Sequence, residues 1–176
     1  MHNTVKHALR LEGNVDIPGD KSISQRSILL NSIANGPAYV SNVCVGDDRS
    51  SILRCMRNIG SKIRIHSPCK THGNRECFHI QGNGPEGMSE PDTVLNAGNS
   101  GTTTRLVTGL LATLPFFSVI SGDRSLRSRP MDRIIKPLTH MGAQIVGRSD
   151  NSFAFWAVEK SLNRSRIGGG RNRTEH

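Results

Sequence analysis

Two stretches of this chain, MRNIGSKIRI ending at Ile65 and LTHMGAQIVG ending at Gly147, follow one pattern: a helix end, a glycine, then a short apolar strand. Their glycines, Gly60 and Gly142, stand 82 residues apart. A helix that stops on glycine and returns as a strand needs a neighbouring strand to pair with, which restricts the chain to an α/β architecture. A weak repeat of this length implies duplicated α/β units, each burying the flank of its neighbour. Helix–Gly–strand is also a common turn, and chance likeness is the competing reading.

The rest of the chain alternates in the same way. Val15 to Pro18 reads as a strand entering a turn at Gly19-Asp20. Ile23, Ser27, Leu30 and Ala34 share one helical face, which predicts a helix over Ser22 to Ala34, stopped by Asn35-Gly36-Pro37. A strand is expected over Ala38 to Val43, then a helix over Arg49 to Ile59 capped by Asp48, then an alternating strand over Ser61 to His66. Ser67 to Asp92 is rich in Gly, Pro and polar residues and reads as a hairpin, with its strand part at His79 and Ile80, plus a long loop. A third helix starts near Gly101 and runs to about Ala112. After the strand Phe117 to Ser121 and a Gly-Asp turn, Pro130 is expected to open a fourth helix, at the position where proline is tolerated. That helix ends at Met141-Gly142, ahead of the strand Ala143 to Val146. The final SLNRSRIGGGRNRTEH has almost nothing apolar to pack and reads as disordered. The expected organisation is therefore a folded part over 1–157 and a basic tail over 158–176.

Aromatic residues make up 4% of the chain, so the core must rest on Leu, Ile, Val and Met. No apolar run approaches the ~20 residues of a membrane span. MHNTVKHALRLEGNVDIPGD contains no apolar stretch of the kind a secretion signal needs, so a cytoplasmic chain without membrane contact is expected. The net charge of +9 comes partly from the tail, where Arg148, Lys160, Arg164, Arg166, Arg171 and Arg173 outnumber Asp150, Glu159 and Glu175. The remaining basic body suits nucleic-acid phosphates, small anions in a cleft, or a solvated surface. One Trp and one Tyr leave few rings for stacking bases, so no nucleic-acid partner is expected. Cys69, His72, Cys77 and His79 fall close together, but their spacing matches no common zinc pattern, and no metal is expected.

Three segments carry residues suited to chemistry. In GDKSISQR, Gly19 to Arg26, a tight turn delivers Lys21 and Ser22 to a helix start, where free backbone N–H groups and the helix dipole favour an anion. Arg26 lies one helical turn beyond Ser22 and can reach the same ligand. In LNAGNSGTTTRL, Leu95 to Leu106, Gly98 and Gly101 let a ligand approach the backbone, with hydroxyls at another helix start and Arg105 just behind. The segment is neither a Walker loop nor a dinucleotide fingerprint. In GDRSLRSRPM, Gly122 to Met131, one of Arg124, Arg127 and Arg129 can serve as a bidentate clamp. Ordinary caps and solvated charges explain each segment singly, and for Arg124 and Arg127 that plainer reading is preferred. Together the three fit a small substrate bearing phosphate and carboxylate.

In this order and at these separations, the three segments resemble those of the EPSP synthase (3-phosphoshikimate 1-carboxyvinyltransferase) family, over about residues 10–157. The resemblance implies the enolpyruvyl transferase fold of repeated α/β units, here one incomplete domain of a two-domain architecture. It implies transfer of the enolpyruvyl group of phosphoenolpyruvate to the 5-hydroxyl of shikimate 3-phosphate with release of phosphate, in a monomer needing no cofactor. By motif position Lys21 would touch both substrates, and Ser22 and Arg26 would hold shikimate 3-phosphate. Asn99, Gly101 and Arg129 would line the phosphoenolpyruvate site, which the inhibitor glyphosate shares. The family's later shikimate-phosphate motif and its proton-transferring second-domain groups have no counterpart in these residues, so no catalytic residue is assigned. A truncated or frame-shifted chain, able to bind but not to turn over, is the expectation.

Overall fold

A computed structural model describes residues 7, 10, 12–69, 76–154 and 156–160. The first helix, α1 (Lys21–Ile33), begins where Asp20 accepts a hydrogen bond from Ile23 N at 2.7 Å. It ends at Ala34, and the chain turns at once into β1 (Asn35–Ser41). The strand thus starts inside the Asn-Gly-Pro stop, three residues earlier than its hydropathy implies. Pro37 is tolerated because β1 is an edge strand, paired on one side only. Next come α2 (Asp47–Asn58), β2 (Lys62–His66) and β3 (Cys77–Asn83). β3 lies in the middle, antiparallel to both β1 and β2. It is longer than the two-residue strand expected at His79 and Ile80.

The second unit repeats this plan. It runs β4 (Leu95–Asn96), α3 (Gly101–Leu111), β5 (Ser118–Ser121), the short α4 (Arg124–Arg127), α5 (Asp132–His140) and β6 (Gln144–Gly147). A single turn, α6 (Arg148–Asn151), leads to β7 (Trp156–Lys160). Its sheet has the order β4-β5-β7-β6, with β7 antiparallel to both neighbours, as β3 is in the first. The shared helix–Gly–strand signal is a shared geometry. Gly60 and Gly142 have φ of +95° and +102°. In both, the next residue's N–H reaches back five residues, Ser61 to Met56 O and Ala143 to Leu138 O, each at 3.0 Å. Only a left-handed residue closes a helix this way, which is why glycine occupies both places.

Four expectations need correction. Val15 to Pro18 is extended but joins no ladder; its place at the head of the first unit corresponds to that of β4 in the second. Asp48 is not the cap of α2: Gly46 holds the cap position, and the Asp48 carboxylate sits in the first turn, directed elsewhere. Pro130 does not open α5. It bridges Phe153, and Met131 N is bonded to Ser152 O at 2.9 Å, so helical geometry starts only at Asp132. β7, for which the sequence reading named no strand, runs to Lys160 and so crosses the expected boundary at 157/158. Residues 161–176, and with them the expected basic tail, lie outside the described residues.

One apolar cluster joins both units. Ile28, Ile52, Met56 and Phe78 fill it on the first side, and Leu95, Leu111, Ile120 and Trp156 on the second; each is no more than 1% exposed. α3 packs on α1 and α2 as well as on β5, so it belongs to both units. The Trp156 indole N–H donates to Thr108 Oγ1 at 3.1 Å, pinning β7 to α3. This packing fixes where the starts of α1, α2 and α3 meet.

Candidate anion-binding site

The three helix starts meet at a hollow of about 380 Å³. Lys21, the first residue of α1, lies on one side, and Asp47 and Asp48 of α2 lie beside it. The turn Asn99 to Thr102 and Arg105 come from α3, and Arg129 enters from the segment after α4. Helix starts carry unpaired N–H groups and a partial positive charge, so the wall is suited to negative ligands before any side chain is counted.

Gln25 ties the three helices together beneath the hollow. The side chain is 1% exposed, and its amide N–H group donates to Ser100 Oγ and Thr103 Oγ1, both at 3.1 Å, and to Asp48 O at 3.3 Å. Ser100 in turn caps α3 by accepting from Thr103 N at 3.2 Å. Above this floor, Lys21 Nζ lies 2.9 Å from Asp48 Oδ2. Partial burial pushes the Asp48 carboxyl up, but hydrogen bonds from Ser100, Lys21 and Gln25 and the charge of Lys21 outweigh it, leaving its pKa below the usual carboxylate value. The hydrogen bond to Asp48 and its charge hold Lys21 above the usual amine value.

On the opposite wall Arg129 donates to Asn99 Oδ1 and, at 3.4 Å, to Ser125 Oγ. Asn99 passes the contact on, donating to Asp123 Oδ2 at 2.7 Å. Arg105 has no hydrogen-bond or ion-pair partner among the described residues. Gly101 lies where these two guanidiniums approach the backbone. A Cβ placed there would come within 3.3 Å of Arg105 Nη1 and 3.4 Å of Arg129 Nη1. The missing side chain therefore keeps open the space between two cationic forks.

Of the residues singled out from sequence, Lys21, Asn99, Gly101 and Arg129 share this hollow. Ser22, half-buried, and Arg26, exposed, belong to α1 but do not line it. The sequence reading missed Asp47, Asp48 and Gln25. Asp48 was read only as the cap of its helix, and Asp47 was not singled out. Among the described residues no group of three His, Cys, Asp or Glu side chains is arranged to hold a metal ion. Cys69 and Cys77 are buried, and His72 lies outside the described residues.

Repeated α/β units bring three helix starts, a lysine and two arginines to one open hollow, an arrangement whose charge suits small anions and marks the class of α/β proteins with an anion-suited helix junction. More narrowly, the chain belongs to the EPSP synthase (3-phosphoshikimate 1-carboxyvinyltransferase) family, whose model matches residues 5–169. The match continues past residue 157, where the motif resemblance ends. The 3-phosphoshikimate 1-carboxyvinyltransferase of Herpetosiphon aurantiacus is 47% identical over 154 residues, covering 88% of this chain and 34% of the relative. That of Chloroflexus aggregans is 49% identical over 152 residues, covering 86% and 33%. The solved EPSP synthase of Acinetobacter baumannii superposes with a TM-score of 0.74 at 39% identity, covering 84% of this chain and 32% of that one. The chain thus spans about a third of the length of the relatives it matches, and its fold is that of repeated enolpyruvyl transferase units.

Proposed function

We propose that the hollow is the anion-holding part of a site that transfers the enolpyruvyl group of phosphoenolpyruvate to the 5-hydroxyl of shikimate 3-phosphate, releasing phosphate. The observation that carries this reading is the convergence of Lys21, Arg105 and Arg129 on one space kept open by Gly101. Both substrates carry phosphate and carboxylate groups, and a planar guanidinium matches a carboxylate with two parallel hydrogen bonds. In this reading Arg129 and Asn99 hold phosphoenolpyruvate against the Gly101 backbone. Lys21 stands where it can neutralise phosphate as that group departs. Ser22 and Arg26, outside the hollow on α1, hold the part of shikimate 3-phosphate that extends beyond it. No metal or organic cofactor enters, and the chain works as a cytoplasmic monomer on small metabolites, with no nucleic-acid or membrane partner. Among the described residues no helix is long and apolar enough to cross a membrane.

Turnover also needs acid and base groups at the reacting atoms. The carboxylates lining the hollow are Asp47 and Asp48, and Asp48 is committed to Lys21. Binding without turnover is therefore expected of this chain alone. Calorimetric titration with shikimate 3-phosphate and then phosphoenolpyruvate, paired with an assay of phosphate release, tests the reading. Replacing Arg129 by alanine should weaken phosphoenolpyruvate about 10- to 100-fold, the usual loss for a charged hydrogen-bonding partner. Absence of binding by either compound at millimolar concentration would refute the assignment.

A further inference from the structure

A second hollow, of about 480 Å³, is lined by Arg124, Arg127, Ser128, Arg148, Ser149 and Phe153. Its arginines come from distant parts of the second unit, two from α4 and one from the first position of α6. They meet because the Pro130–Phe153 bridge and the bond from Met131 N to Ser152 O fasten the segment after α4 to the segment after α6. The hollow is separate from the one already described, since Arg129, on the same segment, directs its guanidinium to Asn99 and Gly101 instead.

We infer that this second hollow binds a small molecule carrying two linked phosphoryl groups. Among the described residues, none of the three guanidinium groups has a hydrogen-bond or ion-pair partner, and no acid lines the cavity. The neighbouring acids are engaged or lie outside it. Asp123 caps α4 and accepts from Asn99, and Asp132 pairs with Lys136 at 3.3 Å. Asp150 is exposed and not part of the lining. Three cations gathered without a counter-charge repel one another unless an anion joins them. The wall beside Arg148 is also strained. Ser149 and Asp150 have φ of +50° and +53°, two successive non-glycine residues in the left-handed region, a conformation retained mainly where surroundings enforce it. The Ser128 hydroxyl donates to Ser125 O at 2.8 Å, so the donors left for a ligand are the three guanidinium forks and the Ser149 hydroxyl. Planar forks suit phosphoryl oxygens, and three of them spread around a hollow of about 480 Å³ match two linked phosphoryl groups better than one compact phosphate.

The test uses the full chain and inorganic pyrophosphate as probe. Modification by phenylglyoxal, read residue by residue by mass spectrometry, should slow about fivefold or more at Arg124, Arg127 and Arg148 when pyrophosphate is present. Arg133, exposed on α5 and outside the hollow, serves as the control. Equal rates at all four arginines up to several millimolar pyrophosphate would overturn the proposal. In an Arg129→Ala background, which weakens the first hollow but leaves Lys21 and Arg105 there, a pyrophosphate binding event should remain that depends on the second hollow's arginines. Adding Arg127→Ala and Arg148→Ala should weaken it about tenfold or more and flatten its salt dependence. A titration unchanged by those two substitutions would also overturn it.

Discussion

Asp48 is pulled in opposite directions, and the balance has a measurable consequence. Partial burial favours its neutral acid, while Ser100, Lys21 and Gln25 favour the carboxylate and prevail. Its folded pKa is below the unfolded one, so its stabilising contribution is complete above the ordinary value of 3.8 and disappears as pH falls through the folded value. Lys21 has the reverse sign: its raised pKa makes its contribution complete below 10.5 and lost at higher pH. Asp48→Asn should therefore be less stable than the parent chain at neutral pH, with the gap closing as pH falls below the ordinary value of 3.8 and through the lower folded one. Urea unfolding at neutral and acid pH checks this, and a gap unchanged with pH would count against it. Lys21, Asn99, Gly101 and Arg129 lie in segments whose motifs stand out in the sequence, and the fold brings these four to one hollow. Gln25 was not legible, because its partners lie 75 and 78 residues away and nothing local marks it.

At the scale of elements, the paired glycines invite a comparison. Both occupy the left-handed end of a helix, where a side chain costs about 1–2 kcal/mol. Gly142 has open space around it, so Gly142→Ala should lose about that much. At Gly60 a Cβ would lie 2.9 Å from Ser89 Oγ and 3.3 Å from Ser89 N, so Gly60→Ala should lose more. Equilibrium denaturation of the two variants decides the order, and equal losses would contradict the packing described. Helices and their glycine stops were readable because their signals are local, but the face read for α1 is not the buried one: Ile23 and Leu30 are exposed, and Ile28 and Leu29 face the core. β7 was not readable. Its short run is followed by polar sequence, and it holds its place through β5, β6 and the buried contact of Trp156 with Thr108. Pro130 misled for a similar reason, since its bridge to Phe153 is set by chain segments that sequence spacing does not connect.

At the scale of the molecule, the α/β class and the duplication were legible because a period of two for strands and 3.6 for helices recurs along the chain. The sharing of α3 between the units was not, since it is a matter of packing. A ligand that binds only the folded chain must stabilise all of it. Shikimate 3-phosphate at about 100 times its Kd should add about 2.7 kcal/mol. For a chain of this size that corresponds to a rise of about 5–10 °C in Tm, and an unmoved Tm under those conditions would show the hollow to be unused. The meeting of α1, α2 and α3 explains why so large a response is expected. Three helices point the same pole at one space, each with roughly half a unit of positive charge at its tip. Asp47 and Asp48, in the first turn of α2, are counterions of that junction. On the binding proposed above, an arriving dianion would share their task, relieving the mutual repulsion of the three poles and acting as a keystone for the fold.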